Sequence, residues 1–157
     1  MKTIISYLHI LSLVAWIGSL IFIFLETRSF FSNLDRELAG KVVGLVFPLY
    51  HYLAYISALV AILSSLYFGL KENRLEQIKL GILGFMLVVT LVSGLIISPK
   101  ARSIKEKLVT VTDVTEKATL KKQFGKTHGI SVLLNSLVFL GGLSAVYVLS
   151  LQLKKSL

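Results

Sequence analysis

The sequence predicts an all-α integral membrane protein, a bundle of four spanning helices with antiparallel neighbours. Two observations and one physical rule carry this expectation. Four apolar blocks, at about residues 4–25, 42–70, 80–98 and 130–153, contain no Asp, Glu, Lys or Arg. Each block is near or above the roughly 20 residues that a helix needs to cross the hydrocarbon core, and none is long enough to cross twice. A bilayer offers no partners to free backbone N–H and C=O groups, so blocks of this kind must be helical.

Composition bounds the rest. With 157 residues, 55% hydrophobic and 16% charged, the chain makes one four-span domain over residues 1–157 and leaves too little polar sequence for a second core. Cysteine is absent, which excludes disulfides, iron–sulfur clusters and thiolate metal sites together. The net charge of +9 would point to nucleic acid in a soluble protein. Here Lys and Arg gather on loops held in the cytoplasm beside anionic headgroups, so the bilayer is the expected partner and nucleic acid is not.

The first block exceeds a signal-peptide core, carries Trp16 at its middle and lacks a small-x-small cleavage site, so it reads as the first membrane helix. Connection 26–41 nearly balances its charges. Asn33 or Asp35 is placed to cap a short interfacial helix there, with Phe30 and Phe31 at headgroup level. Pro48 fits the first turn of the second span or a kink within it. Residues 71–79 form a tight charged turn, which makes the second and third helices antiparallel neighbours. Pro99 marks a kink or break at the membrane surface.

The long connection between helices 3 and 4 has its own pattern. Residues 100–108 continue the helix, Thr110, Thr112 and Thr115 mark a turn, and residues 116–126 restart a basic helix. A hairpin projecting into the cytoplasm follows. Loops 26–41 and 100–126 together hold eleven basic residues against six elsewhere, which puts loops 26–41 and 99–129 in the cytoplasm and both termini opposite. A bacterial inner membrane is the expected location.

The polar residues inside the spans carry what chemistry there is. At 1.5 Å rise per residue, His51 and His128 reach a similar depth near the loop-rich end, while His9 lies toward the termini. His128, Ser131 and Asn135 share one face of the fourth helix. Thr90 and Ser93 reach the same end from the third helix, and Arg28 stands at its mouth. His9 shares a face with Ser12 and Trp16, at the depth of Ser64 and Ser65. Polar groups in lipid face the bundle interior. His51 and His128 could therefore serve as paired axial ligands for a haem b, or hold a copper or zinc ion, or simply hydrogen-bond to their neighbours.

Three stretches carry a family resemblance: Leu-His-Ile-Leu-Ser-Leu-Val-Ala-Trp-Ile-Gly at 8–18, Leu-Val-Phe-Pro-Leu-Tyr at 45–50, and Phe-Gly-Lys-Thr-His-Gly-Ile-Ser-Val-Leu-Leu-Asn at 124–135. Together they resemble an uncharacterised four-helix membrane domain whose eukaryotic representative is the cisplatin-resistance-associated transmembrane type. The opening His…Trp-x-Gly helix is also similar to copper-resistance D-type and HemJ-type membrane proteins. That likeness rests on His9, Trp16 and Gly18, with Arg28, and implies metal handling or porphyrin chemistry.

The leading expectation is a non-catalytic membrane protein that binds or helps to move a metal, haem or other small ligand at the cytoplasmic end. Its site would be His51, His128, Ser131 and Asn135, supported by Thr90 and Ser93, with His9 and Trp16 as a separate polar point. The alternatives are a haem-bearing oxidoreductase or electron carrier, and an accessory subunit or homo-oligomer whose polar groups only fix helix packing.

Overall fold

The computed structural model describes residues 1–69 and 74–156. It comprises α1 (Lys2–Asn33), α2 (Arg36–Tyr67), α3 (Arg74–Val92), a π-helical turn (Ser93–Ile97), α4 (Ser98–Thr110) and α5 (Val114–Ser156). Because α3, the π turn and α4 run on without a break, the chain forms four rods, each long and apolar enough to cross a membrane. Helix α1 packs chiefly on α2, and the α3–α4 rod packs along α5, with α2 against α3 and α1 against α5 joining the two pairs.

The rods outrun the predicted spans, and the sequence explains how each ends. The first connection holds no separate interfacial helix. Helix α1 runs to Asn33, Leu34 turns extended, and Asp35 caps α2 itself by accepting from the N–H groups of Glu37 (3.0 Å) and Leu38 (2.9 Å). The predicted second span reaches residue 70, but α2 ends at Tyr67, with Gly69 at φ +90°. Residues 70–73 of the predicted charged turn lie outside the described residues. Helix α3 begins at Arg74, which brings Glu76 and Lys79 into the helix instead of the turn. The long connection folds as the sequence predicts: α4, a break at 111–113, then α5, whose Asp113 carboxylate accepts from the Glu116 N–H at 2.7 Å.

Both prolines leave marks. Pro48 sits inside α2 and has no N–H for the Gly44 carbonyl one turn back; Arg102 of α4 donates to that carbonyl instead, at 3.4 Å. Pro99 likewise cannot bond back to Leu95, and the turn before it widens so that the Ser98 N–H reaches Ser93 O, five residues away.

The core is a seam of large and small apolar side chains. Leu13, Trp16 and Leu20 of α1, Ala54, Ala58 and Ala61 of α2, Leu83 and Met86 of α3, and Val138 and Ala145 of α5 are buried together. Alanines at i, i+4 and i+7 let the helix backbones approach closely. Gly94 in the π turn allows the tightest approach, since a Cβ there would overlap the Tyr55 hydroxyl and the His51 ring. Only about a third of each spanning window is buried within the chain, and the outward faces carry exposed Leu, Ile, Val and Phe. That surface is suited to acyl chains, not to water.

Candidate functional site

The turn between α1 and α2 brings the ends of those helices beside the early part of α5, and a cavity of about 330 Å³ opens there. Its walls are Phe24, Thr27, Arg28, Phe31 and Ser32 of α1, Phe47 of α2, and His128, Ser131, Val132 and Asn135 of α5. The i, i+3, i+7 spacing on α5 turns His128, Ser131 and Asn135 into the cavity together. Phe124, one turn before His128, stacks on its imidazole with centroids 6.2 Å apart and planes 9° apart. Asn135 is buried at the inner end, where its Oδ1 accepts from the Tyr50 hydroxyl at 3.3 Å. Neither ion pair among the described residues, Glu37–Lys41 or Glu76–Lys79, involves Arg28. The cavity thus combines a guanidinium without a carboxylate partner, an imidazole, three hydroxyls, an amide and three phenylalanine rings.

Of the predicted residues, the structure joins Arg28, His128, Ser131 and Asn135 in this one space. It keeps His51 apart. The His51 Nδ1 donates to the Phe47 carbonyl at 2.9 Å, and the ring is enclosed by Tyr50 (centroids 4.8 Å apart), Phe47 and Tyr55 (each 6.2 Å) and Gly94. Phe47 touches the His51 ring and also lines the cavity, which His51 itself does not line. The cavity itself therefore offers one imidazole, that of His128, while the His51 Nδ1 is taken by the Phe47 carbonyl. Among the described residues no three His, Asp or Glu side chains converge as a metal site.

Thr90 is committed internally, donating to the Met86 carbonyl at 2.8 Å. The buried Ser93 hydroxyl, the Tyr55 hydroxyl and the His51 Nε2 have no hydrogen-bond partner among the described residues. His9 pairs with the far part of α2, as its depth predicts: its Nδ1 bonds Ser64 Oγ (2.8 Å) and Ala61 O (3.2 Å). Since Phe47 lines the cavity and Ala61 meets His9, the two sites are separated by roughly 20 Å along α2. Trp16 is fully buried on the His9 face, its indole N–H unpartnered among the described residues.

The sequence reading missed a second polar centre. Glu76 and Lys79 of α3 are 4% and 2% exposed and form an ion pair at 3.0 Å. Ser65 Oγ donates to Glu76 Oε1 (2.5 Å), Gln152 Nε2 donates to Glu76 Oε2 (2.5 Å), and Lys79 donates to Gln152 Oε1 (3.1 Å). Opposite charges three residues apart at a span edge were the available signal.

Comparison with known proteins adds the family. Residues 11–110 match the model described as Domain of unknown function (DUF4149), which covers α1 from its third turn through α4. Arg28, His51, Glu76 and Lys79 fall inside the match, while His128, Ser131, Asn135 and Gln152 lie beyond it. An uncharacterised protein of Aquifex aeolicus (strain VF5) is 34% identical over 142 residues, covering 90% of this chain and 92% of its own length. No solved structure matches the chain. The chain belongs to the DUF4149 family, whose function is unknown, and it is a helical membrane-spanning member.

Proposed function

We propose that this protein binds, or helps to move, a small amphiphilic ligand in the cavity between α1, α2 and α5. One observation carries the reading: an uncompensated guanidinium, an imidazole, three hydroxyls and a buried amide converge on a space of about 330 Å³ whose apolar wall is chiefly aromatic. Binding pockets combine an apolar lining with a few convergent polar groups in this way. A flat or aromatic body would lie against Phe24, Phe31 and Phe47. An anionic group on it would meet Arg28, with Ser131 and Asn135 fixing its orientation.

The distribution of Lys and Arg supports a cytoplasmic position for this mouth, with both termini on the other side, and the bacterial relative fits an inner-membrane setting. The resemblance to the cisplatin-resistance-associated type is compatible with small-molecule handling. The copper-resistance D-type and HemJ-type likeness, apart from Arg28, rests on residues of the other end and middle of the bundle. It therefore bears on this cavity through Arg28 alone.

The test is native mass spectrometry and an absorption spectrum of the full chain purified in mild detergent. A small molecule retained by the wild type and lost about tenfold or more in Arg28→Ala is the expected result, since a hydrogen bond to a charged group contributes about 1.5–3 kcal/mol. Equal retention in wild type and variant, or no retained molecule in a well-folded wild type, would contradict the reading. A Soret band abolished by His51→Ala would instead favour a haem protein.

A further inference from the structure

Where the α3–α4 rod leaves the membrane, α4 packs on α5 and the π turn, and it reaches α2 through two long cationic side chains. The rod runs antiparallel to α2 here: Gly94 faces Tyr55 and His51, Arg102 faces Gly44, and Lys105 faces Gly40. Arg102 donates to the Gly44 carbonyl at 3.4 Å, and the Lys105 ammonium lies 2.6 Å from the position that a Cβ on Gly40 would take. Gly40 and Gly44 are one turn apart, so the two cations meet α2 at points about 6 Å from each other.

These two cations have no counter-charge of their own. The ion pairs among the described residues are Glu37–Lys41 and Glu76–Lys79, and neither includes Arg102 or Lys105. Glu37, the carboxylate that acts on Lys105, is held by Lys41 at 2.6 Å, and Lys41 adds a further positive charge beside Lys105. Lys105 is nonetheless partly buried. An ammonium drawn out of water with no anion beside it costs free energy, which an anion from outside would recover. The level is that of the lipid headgroups. Arg102 and Lys105 stand four and seven residues beyond the third apolar block, roughly 6–10 Å past the hydrocarbon boundary. On the hydrocarbon side of them, Leu45 and Leu49 of α2 and Leu95 and Ile96 of the π turn are 59–74% exposed.

We propose that Arg102 and Lys105, laid across Gly40 and Gly44, form a binding site for the phosphate of an anionic lipid headgroup. The phosphate oxygens accept from the remaining Arg102 N–H groups and from the Lys105 ammonium. The acyl chains run down past Leu45, Leu49, Leu95 and Ile96. A lipid fits this place better than free phosphate does, because the exposed apolar faces continue from the cations into the membrane.

Native mass spectrometry of the full chain in mild detergent, titrated with dioleoylphosphatidylglycerol or dioleoylphosphatidylcholine, tests this. The wild type should retain one phosphatidylglycerol about tenfold or more better than phosphatidylcholine. The preference should fall about fivefold in Lys105→Gln, which leaves the Arg102 bond to Gly44 in place, and vanish in Arg102→Gln with Lys105→Gln. Lys117→Gln with Lys121→Gln removes the same charge from the start of α5 and should leave the preference unchanged. Equal retention of the two lipids by the folded wild type would overturn the proposal without recourse to any variant. So would an equal loss in the charge-matched control, which would make the attraction a property of overall charge. Displacement of the lipid by millimolar inorganic phosphate would overturn the lipid assignment in favour of a free-phosphate site. Arg28→Ala should keep its phosphatidylglycerol, so this site and the α1–α2–α5 cavity can each fail alone.

Discussion

The two ends of the bundle treat polar groups in opposite ways. At the terminal end, Glu76, Lys79, Gln152 and Ser65 close on one another and bury their charges as a neutral set. At the loop end, Arg28 and His128 are exposed side chains lining an open cavity, with Ser131 and Asn135 deeper inside. The difference teaches where to look for binding. A closed network that pairs its own charges has little left to offer a ligand, whereas an open one keeps its hydrogen-bonding capacity for a partner.

Breaking the closed end should give the largest effect. Glu76→Ala leaves the Lys79 ammonium buried and unpaired, and a loss of about 3–5 kcal/mol is expected in reversible unfolding from detergent micelles. The double replacement Glu76→Leu with Lys79→Met should recover most of that loss. Equal destabilisation by the single and double variants would show that packing, not charge, is what the site provides.

Next in size is Gly94→Ala. Its new methyl would overlap the Tyr55 hydroxyl and the His51 ring, and a cost of about 1–3 kcal/mol should appear as a lower unfolding midpoint. Gly18 of α1 has open space where its Cβ would stand, so Gly18→Ala should instead be neutral or stabilising by up to about 1 kcal/mol. Asp35→Ala removes the cap of α2 and should cost about 1 kcal/mol. Smallest of all, Lys41→Ala breaks a solvent-exposed ion pair with Glu37 and should leave the midpoint where it was.

The same contrast explains what the sequence could and could not convey. Four apolar spans are legible because hydropathy alone decides whether a helix can lie in lipid. The meeting of His9 with Ser64 is legible from depth, since both positions follow from counting rises along straight helices. The hairpin of α4 and α5 is legible from its threonines and basic flanks. Depth does not give rotation, however. His51 and His128 enter from the same end, yet only the second lines the cavity, and the packing of α2 on its neighbours decides that. The Glu76–Lys79 centre escaped for a different reason: charge looks like a turn until Gln152, late in α5, is known to satisfy both partners. Likewise, Pro48 signals a freed carbonyl, but nothing local tells that Arg102 supplies the replacement.

Ligand retention and unfolding midpoint, measured side by side on Arg28→Ala and Glu76→Ala, test most directly the claim that one end binds and the other holds. Arg28→Ala should lose the co-purifying molecule and unfold like the wild type, while Glu76→Ala should unfold early and, where still folded, keep the molecule. Retention unchanged in Arg28→Ala, or loss of the molecule from folded Glu76→Ala, would contradict the division.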